Sequence, residues 1–286
     1  MNSSNITVSI LIPCYNQEAL IRQVVKAVLA QTVPPDEIIV VDDGSQDNSL
    51  AILSTLPVKI IQHSTNLGLS QARNTAIKAS RGDILVFIDG DAIASPNLIE
   101  ILLSGYLNSK DPNLGGVGGQ GIETQQITVY DRWRTYHASQ GYGDKIIADV
   151  PFLYGLCMSY KRSAINKVDG FDTFFSQTCG EDVDLGIRMH RAGFRLRYLP
   201  QAVVFHHHTD DEKRLKKTHY NWAYWNYILK QRHSLPTWTT YAGIIRRLFQ
   251  ESFSDLLIRR DWKLFKLDID MFFLKMSATV KAARSN

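Results

Sequence analysis

Residues 84–91 read Ile-Leu-Val-Phe-Ile-Asp-Gly-Asp, five apolar side chains running straight into two carboxylates that flank one glycine. A run with no polar member is what a strand covered on both faces requires, as in a parallel sheet between helical layers. The two carboxylates at its end repel each other, so a positive partner is expected between or beside them. Aspartates at i and i+2, with a glycine that lets the backbone approach closely, can hold a hard divalent cation that also binds phosphate oxygens. The plainer alternative, an Asp-Gly turn closing a strand, is common.

Working outward, the same pattern repeats. Val8–Ile12 reads as a strand, Glu18–Gln31 as an amphipathic helix, and Glu37–Val41 as a buried strand ending in Asp42-Asp43-Gly44-Ser45. Val58–Ile61 is a third strand, Leu69–Ala79 a helix, and Ser95-Pro96 reads as the N-cap and first residue of another. Strands alternating with helices imply βαβ units, hence an α/β fold with a mainly parallel central sheet flanked by helices. Ligands bind such sheets beyond the carboxyl ends of the strands. Pro13-Cys14-Tyr15-Asn16, Asp42–Ser45 and Asp89–Asp91 all fall there. Further on, Phe152–Ser159, Leu196–Leu199 and Ala202–Phe205 are expected strands, and Glu181–Ala192 a helix stopped by Gly193.

The composition divides the chain. The 286 residues carry a formal charge of +4, yet the stretch from Thr209 onward holds 15 basic and 8 acidic residues. It also holds 13 of the 29 aromatics and four of the five tryptophans. The expected organisation is therefore a catalytic domain over 1–208, split near 120, followed by a basic, aromatic-rich helical extension over 209–286. Met1–Asn5 shows no basic and apolar leader, and no run approaches the roughly 20 apolar residues that span a bilayer. Cys14, Cys157 and Cys179 are odd in number and far apart, which fits a reducing compartment and argues against sulfur-bound metal. A cytoplasmic protein is the expectation.

Single motifs are weak on their own. Asp43 can accept from a nucleobase N–H, and Tyr15 can stack on a base, although a lone tyrosine is more often a packing residue. Arg73 suits a base carbonyl or a phosphate; an isolated arginine more often forms a surface ion pair. Glu181 and Asp182 open a helix, where the dipole favours carboxylates anyway. An aspartate kept ionised there would serve as a general base. Asp184 and Arg188 form an i,i+4 pair. His206, His207 and His208 end a strand, and imidazole can complete a metal shell begun by Asp91. Gly116–Gly121 matches G-x-G-x-x-G, but no strand precedes it and no helix follows, so a closely packed glycine-rich strand is expected rather than a dinucleotide site.

Seven stretches in order carry more weight than any one: SILIPCYNQEALI, IIVVDDGSQDNS, NLGLSQARN, GDILVFIDGDAIASPNLIE, KVDGFDTFF, GEDVDLGIRMHRAGFRLRYLP and AVVFHHH. Over roughly residues 7–208 the chain resembles the inverting family 2 glycosyltransferases with the GT-A fold. The resemblance implies that Pro13 and Tyr15 line a nucleobase pocket, Asp43 and Arg73 contact the base edge, and Asp89 binds the ribose. Asp91 and His206 would ligate Mn²⁺ or Mg²⁺, with Asp89 and His208 as further candidates. Asp182 would deprotonate the acceptor hydroxyl with Glu181 orienting, and Trp133, Asp184 and Arg188 are acceptor-side candidates. The donor would be a nucleotide-diphosphate sugar, UDP favoured because uridine suits Asp43, and the acceptor a glycan or a lipid-linked hydroxyl. The family's Gln-x-x-Arg-Trp signature of processive synthases is missing, so transfer of a single sugar is expected. The alternatives are a non-catalytic sugar-nucleotide binder and, on the glycine run, an NAD-dependent oxidoreductase. No nucleic-acid partner is expected. The extension would lie against an anionic membrane or pack on protein, a second subunit included.

Overall fold

The computed structural model describes residues 6–175 and 179–285. Residues 1–5, on which the reading of a missing leader rests, lie outside the described residues. The element order is β1 (Val8–Cys14), α1 (Ile21–Leu29), β2 (Glu37–Asp42), α2 (Ser49–Leu53), β3 (Lys59–Gln62), α3 (Leu69–Ala79), β4 (Ile84–Ile88) and β5 (Ala92–Ala94). Then come α4 (Leu98–Leu107), β6 (Leu114–Glu123), α5 (Val129–His137), β7 (Cys157–Lys161), α6 (Arg162–Lys167), α7 (Glu181–Arg191) and β8 (Arg195–His206). Three long helices end the chain: α8 (Glu212–Arg232), α9 (Trp238–Phe253) and α10 (Trp262–Arg284), with a π-helical turn at Ser254–Ile258.

Two compact units result. One takes Met1–Thr124 and Gln140–His207; the other takes Gln125–Ser139 and His208–Asn286. In the first, eight strands form one mixed sheet in the order β3-β2-β1-β4-β7-β6-β8-β5. The four strands β3, β2, β1 and β4 are parallel, β7 runs against both β4 and β6, and β5 runs against β8. Parallel pairing is thus confined to that half and to β6 with β8. The sheet is buried on both faces by separate apolar clusters. One joins Ile10, Ile12, Val40 and Val86 with Val24, Val28 and Leu102 of α1 and α4. The other joins Leu11, Ile39 and Phe87 with Ala72 and Ala76 of α3 and Leu185 and Met189 of α7. The chain runs from β1 outward to β3 and then returns to place β4 on the other side of β1. This reversal opens a crevice at the carboxyl ends of β1 and β4.

Three local expectations are corrected. The helix after Pro96 starts only at Leu98, because Ser95 is held against β8: its N–H donates to the Val203 carbonyl at 3.0 Å. The strand expected at Phe152 starts at Cys157; Leu153 and Leu156 are apolar because a loop there is buried. Leu196–Leu199 and Ala202–Phe205 belong to one strand, β8, whose register with β6 shifts between Gly118 and Gln120. The sheet is mainly parallel as expected, four of its seven pairings being so, with β7 and β5 entering antiparallel.

The glycine-rich segment is β6, as expected. A Cβ on Gly119 would sit 1.9 Å from the Ala202 carbonyl oxygen, and one on Gly116 would meet the Tyr160 ring at 2.8 Å. These glycines serve close strand packing, and no helix N-terminus follows them to receive a pyrophosphate. The dinucleotide reading falls with that geometry.

In the second unit, α5, α8 and α10 bury Trp133, Leu215, Leu264, Leu267 and Met271 together. Asp211 caps α8 and Asp261 caps α10, each by accepting backbone N–H bonds from the first turn. Ser234, at φ +56, marks the expected break after α8. Among the described residues no helix is long and apolar enough to cross a membrane.

Candidate active site

The loops after β1 and β2 are stitched to each other. Asn16 takes a positive φ of 52°, its N–H donates to Ser45 Oγ at 3.0 Å, and its Oδ1 accepts from the Gln46 N–H at 2.8 Å. That arrangement leaves Tyr15 40 % exposed beyond the end of β1. Pro13 is buried within β1; its carbonyl faces Gly90, where any Cβ would come within 3.1 Å.

Asp43 does not face outward. Its carboxylate accepts from the N–H groups of Leu67 and Gly68, both at 2.9 Å, and lies 2.6 Å from His63 Nδ1. With both oxygens engaged and the residue 3 % exposed, it clamps the turn that starts α3 rather than reading a base edge. The preference for uridine that rested on Asp43 is withdrawn for the same reason. Its neighbour Asp42 is fully buried, and neither of its carboxylate oxygens finds a hydrogen-bond partner among the described residues. The sequence reading passed over it.

Arg73 is corrected as well. It projects from α3 with its side chain at 0 % exposure, and its terminal nitrogens lie 2.9 Å from Asp89 Oδ1 and 2.9 Å from Glu181 Oε1. It also donates to the Gly155 carbonyl at 3.3 Å and sits 5.2 Å from the Phe171 ring centroid. One cation therefore ties the end of β4 to the start of α7. The positive partner expected beside the Asp-Gly-Asp turn is supplied, for Asp89, by the chain itself. Removing it would leave two carboxylates without their counter-ion, a loss of about 3–5 kcal/mol by analogy with other buried pairs. Arg73→Met is expected to lower the unfolding free energy measured by urea titration by that amount; a change under about 1 kcal/mol would show that the arginine does not brace the site.

Glu181 is buried against Arg73, while Asp182, next along the first turn of α7, is half-buried. The helix begins at Gly180, whose φ of +90° only a glycine takes without strain. Asp182 Oδ1 accepts from the Val183 N–H at 2.8 Å and Oδ2 from the Gly155 N–H at 3.3 Å. Burial and the adjacent Glu181 charge push its carboxyl up to about 7, with Arg73 opposing. Desolvation thus works against the helix dipole, which favours the ionised form. A base poised near neutrality is the better-tuned one.

Asp91 lies on the opposite side of Gly90 from Asp89 in the sequence, where β5 meets β8. Ala92 pairs with His206, and the His207 N–H donates to the Asp91 carbonyl at 3.1 Å. Asp91 Oδ2 is 3.5 Å from His206 Nε2, while His206 Nδ1 is 2.9 and 3.0 Å from the two oxygens of Glu123. Burial lowers the imidazole's basicity, but the two carboxylates outweigh it and raise the group to about 10. A carboxylate and an imidazole whose far nitrogen is held by a second carboxylate fit a divalent cation, Glu123 being the outer support that sequence reading missed. His208 belongs to the second unit, where its Nε2 is 3.0 Å from Asp210 Oδ1.

The three acceptor-side candidates are placed otherwise. Trp133 is wholly buried in the second unit, donating to Asp268 Oδ1 at 2.8 Å. Asp184 binds Arg188 Nε at 2.7 Å, and Arg188 Nη1 donates to the carbonyls of Val168 and Gly170. That pair secures the loop before residue 175.

Comparison with known proteins bears on the family and the fold. Residues 9–169 match Glycosyl transferase family 2. The chain is 28% identical over 213 residues to the O-antigen chain rhamnosyltransferase RfbN of Salmonella typhimurium, covering 70% of this chain and 66% of that one. It is 23% identical over 239 residues to a poly-beta-1,6-N-acetyl-D-glucosamine synthase of Staphylococcus epidermidis, covering 80% and 57%. The matches thus span between about half and two thirds of these relatives' lengths. Among solved structures, the mannosyltransferase PcManGT from Pyrobaculum calidifontis, in complex with GDP-Man and Mn²⁺, has a TM-score of 0.60 at 19% identity, covering 99% of this chain and 77% of that one. That likeness gives the fold, the GT-A arrangement of a mixed sheet flanked by helices. With more than half its length matched by the family model, the chain belongs to glycosyl transferase family 2.

Proposed function

We propose that the protein transfers one sugar from a nucleotide-diphosphate sugar to an acceptor hydroxyl, with inversion and with a divalent cation at Asp91 and His206. The observation that carries the reading is Arg73, which locks the carboxylate end of β4 to the helix start bearing Asp182. In this proposal Tyr15 stacks on the base, and Asp89, aimed by Arg73, meets the ribose. Arg73 and Asp43 act by positioning. Asp182 accepts the proton of the acceptor hydroxyl, and Glu181 holds Arg73 while raising the basicity of its neighbour. The Gly155 N–H keeps Asp182 oriented. Mn²⁺ or Mg²⁺, when bound, would supply Lewis-acid neutralisation of the leaving diphosphate.

One base and one displacement give a single inversion. Transfer of a single sugar is supported by the lack of a Gln-x-x-Arg-Trp signature in the sequence. The synthase among its relatives makes a polymer by name, so product length is the quantity to measure. A cytoplasmic setting fits the three free, buried cysteines. The test is a panel of UDP-, GDP- and dTDP-sugars with and without Mn²⁺, read by thermal shift and by release of the nucleoside diphosphate. One donor is expected to raise the melting temperature and to turn over only with metal. NMR of the product should show the anomer opposite to the donor's. No shift and no release with any donor would overturn the proposal, as would a retained anomer for its mechanism.

A further inference from the structure

The second unit presents an apolar surface that its own core does not use. On α9, Trp238, Ile245, Phe249 and Phe253 follow one another at spacings of seven, four and four, which puts them on one face of the helix. On α10, Trp262, Phe265, Ile269 and Phe273 do the same at three, four and four. Trp238, Phe249, Phe253, Trp262 and Phe273, with Leu257 and Ile258 of the π-helical turn, are each between 58% and 71% exposed. The two faces join, because Phe249, Phe253, Leu257, Phe265 and Ile269 line one open groove of about 600 Å³. Soluble proteins seldom leave so many large apolar side chains contiguous on the surface.

The charge that α9, α10 and the turn between them expose around this surface is mostly basic. Arg246, Arg247, Arg260, Lys263 and Lys266 are exposed between Trp238 and Phe273, against the single exposed acid Asp270. The remaining acids of that stretch are turned inward: Glu251, Asp255 and Asp268 are buried, and Asp261 caps α10. Apolar side chains ringed by Lys and Arg, with tryptophans at the beginning of both helices, have the composition of a helix pair lying in a lipid interface. We propose that the α9–α10 face docks on the surface of an anionic bilayer, inserting Phe249, Phe253, Leu257 and Trp262 while the basic residues meet lipid headgroups. A second copy of the chain is the poorer occupant. A two-fold interface sets the same patch against itself, and would bring the five exposed cations of each copy together. Docking of this kind would hold the enzyme where a lipid-carried acceptor is found, a consequence that rests on the function proposed above; the docking itself does not.

The test is co-sedimentation of the full chain with phosphatidylcholine vesicles and with vesicles containing phosphatidylglycerol. Recovery is expected on the anionic vesicles, falling several-fold between about 0.1 and 0.5 M salt as the Debye length shrinks. The F249S/F253S variant alters exposed positions and should fold with unchanged circular dichroism, yet lose at least about tenfold in vesicle partitioning. The K263E/K266E variant should lose the preference for anionic over neutral lipid. Equal recovery on both lipids, or unchanged recovery in both variants, would overturn the proposal. So would a lipid-free dimer that F249S/F253S dissociates. Donor turnover measured without vesicles reports on the other unit, so a chain that binds vesicles but turns over no donor would refute the enzymatic reading and leave the docking standing.

Discussion

The Asp91→Ala protein is expected to lose sugar transfer by at least about 10³-fold, together with any gain in melting temperature on adding donor and Mn²⁺. The size follows from the several kcal/mol of charge stabilisation that a Lewis acid contributes at a departing diphosphate, each 1.36 kcal/mol being tenfold in rate. The side chain sits at a strand end with 19 % exposure, and its removal leaves the His206–Glu123 pair in place. The fold should therefore persist, and the unliganded melting temperature should change little. Two further results would have to agree. EDTA should abolish wild-type turnover, and metal affinity should weaken as the pH is lowered, because Asp91 and Glu123 favour the protonated form of His206, which must shed its proton to ligate. Full activity in EDTA would remove the cation from the mechanism. A larger loss of metal affinity in His208→Ala than in His206→Ala would show that the wrong histidine has been assigned.

Much of this site was legible before any coordinates. The near-continuous apolar runs of β1, β2 and β4 each stop at a polar turn, and period and punctuation together fix both the strand and the place where its chemistry must lie. Leu69–Ala79 and Ile84–Ile88 are observed with the bounds read from the sequence. What the sequence concealed has a common cause, which is that a residue type names a chemistry but not the direction in which it points. Arg73 and Asp43 carry the right groups to meet a nucleotide, and both are turned inward to hold other parts of the crevice. Trp133, an acceptor-side candidate in the sequence, has its indole N–H spent on a buried aspartate 135 residues away. Glu123 had no signal at all. It lies at the end of a glycine strand, and only the parallel pairing of β6 with β8 brings it to His206. Long-range pairings of this kind do not show in periodicity, and the antiparallel entry of β7 and β5 escaped notice for the same reason. The burial of Phe152–Leu156 without strand structure is a further case, since apolar content reports on burial before it reports on backbone conformation.

Asp182→Asn separates chemistry from binding and also reverses a stability trend. Losing a general base costs about 10² to 10⁴ in rate, so kcat is expected to fall by that factor while donor affinity stays near the wild-type value. The acid limb of the wild-type pH profile should lie near 7 rather than near 4, because the carboxyl must be ionised to act and burial beside Glu181 holds it up to about 7. In the variant that limb should vanish. The same shift acts on folding. A carboxyl whose folded pKa lies above its unfolded value, about 3.9, contributes stability that is complete below pH 4 and is lost as pH rises through 7. At pH 8 the wild-type chain carries that loss in full, whereas an uncharged asparagine carries none. Because the side chain is only half-buried, solvent screens part of the effect. The variant is therefore expected to be more stable than the wild type at pH 8 by on the order of 1 kcal/mol, or about 2–4 °C in melting temperature, and to show no such gain at pH 4. A residue that served packing alone would give neither result, since its replacement would cost stability at both pH values. Retention of wild-type kcat would exclude Asp182 as the base. A melting temperature lower than wild type at pH 8 would show instead that the ionised carboxylate, held by the Gly155 and Val183 N–H groups, is the form the fold prefers.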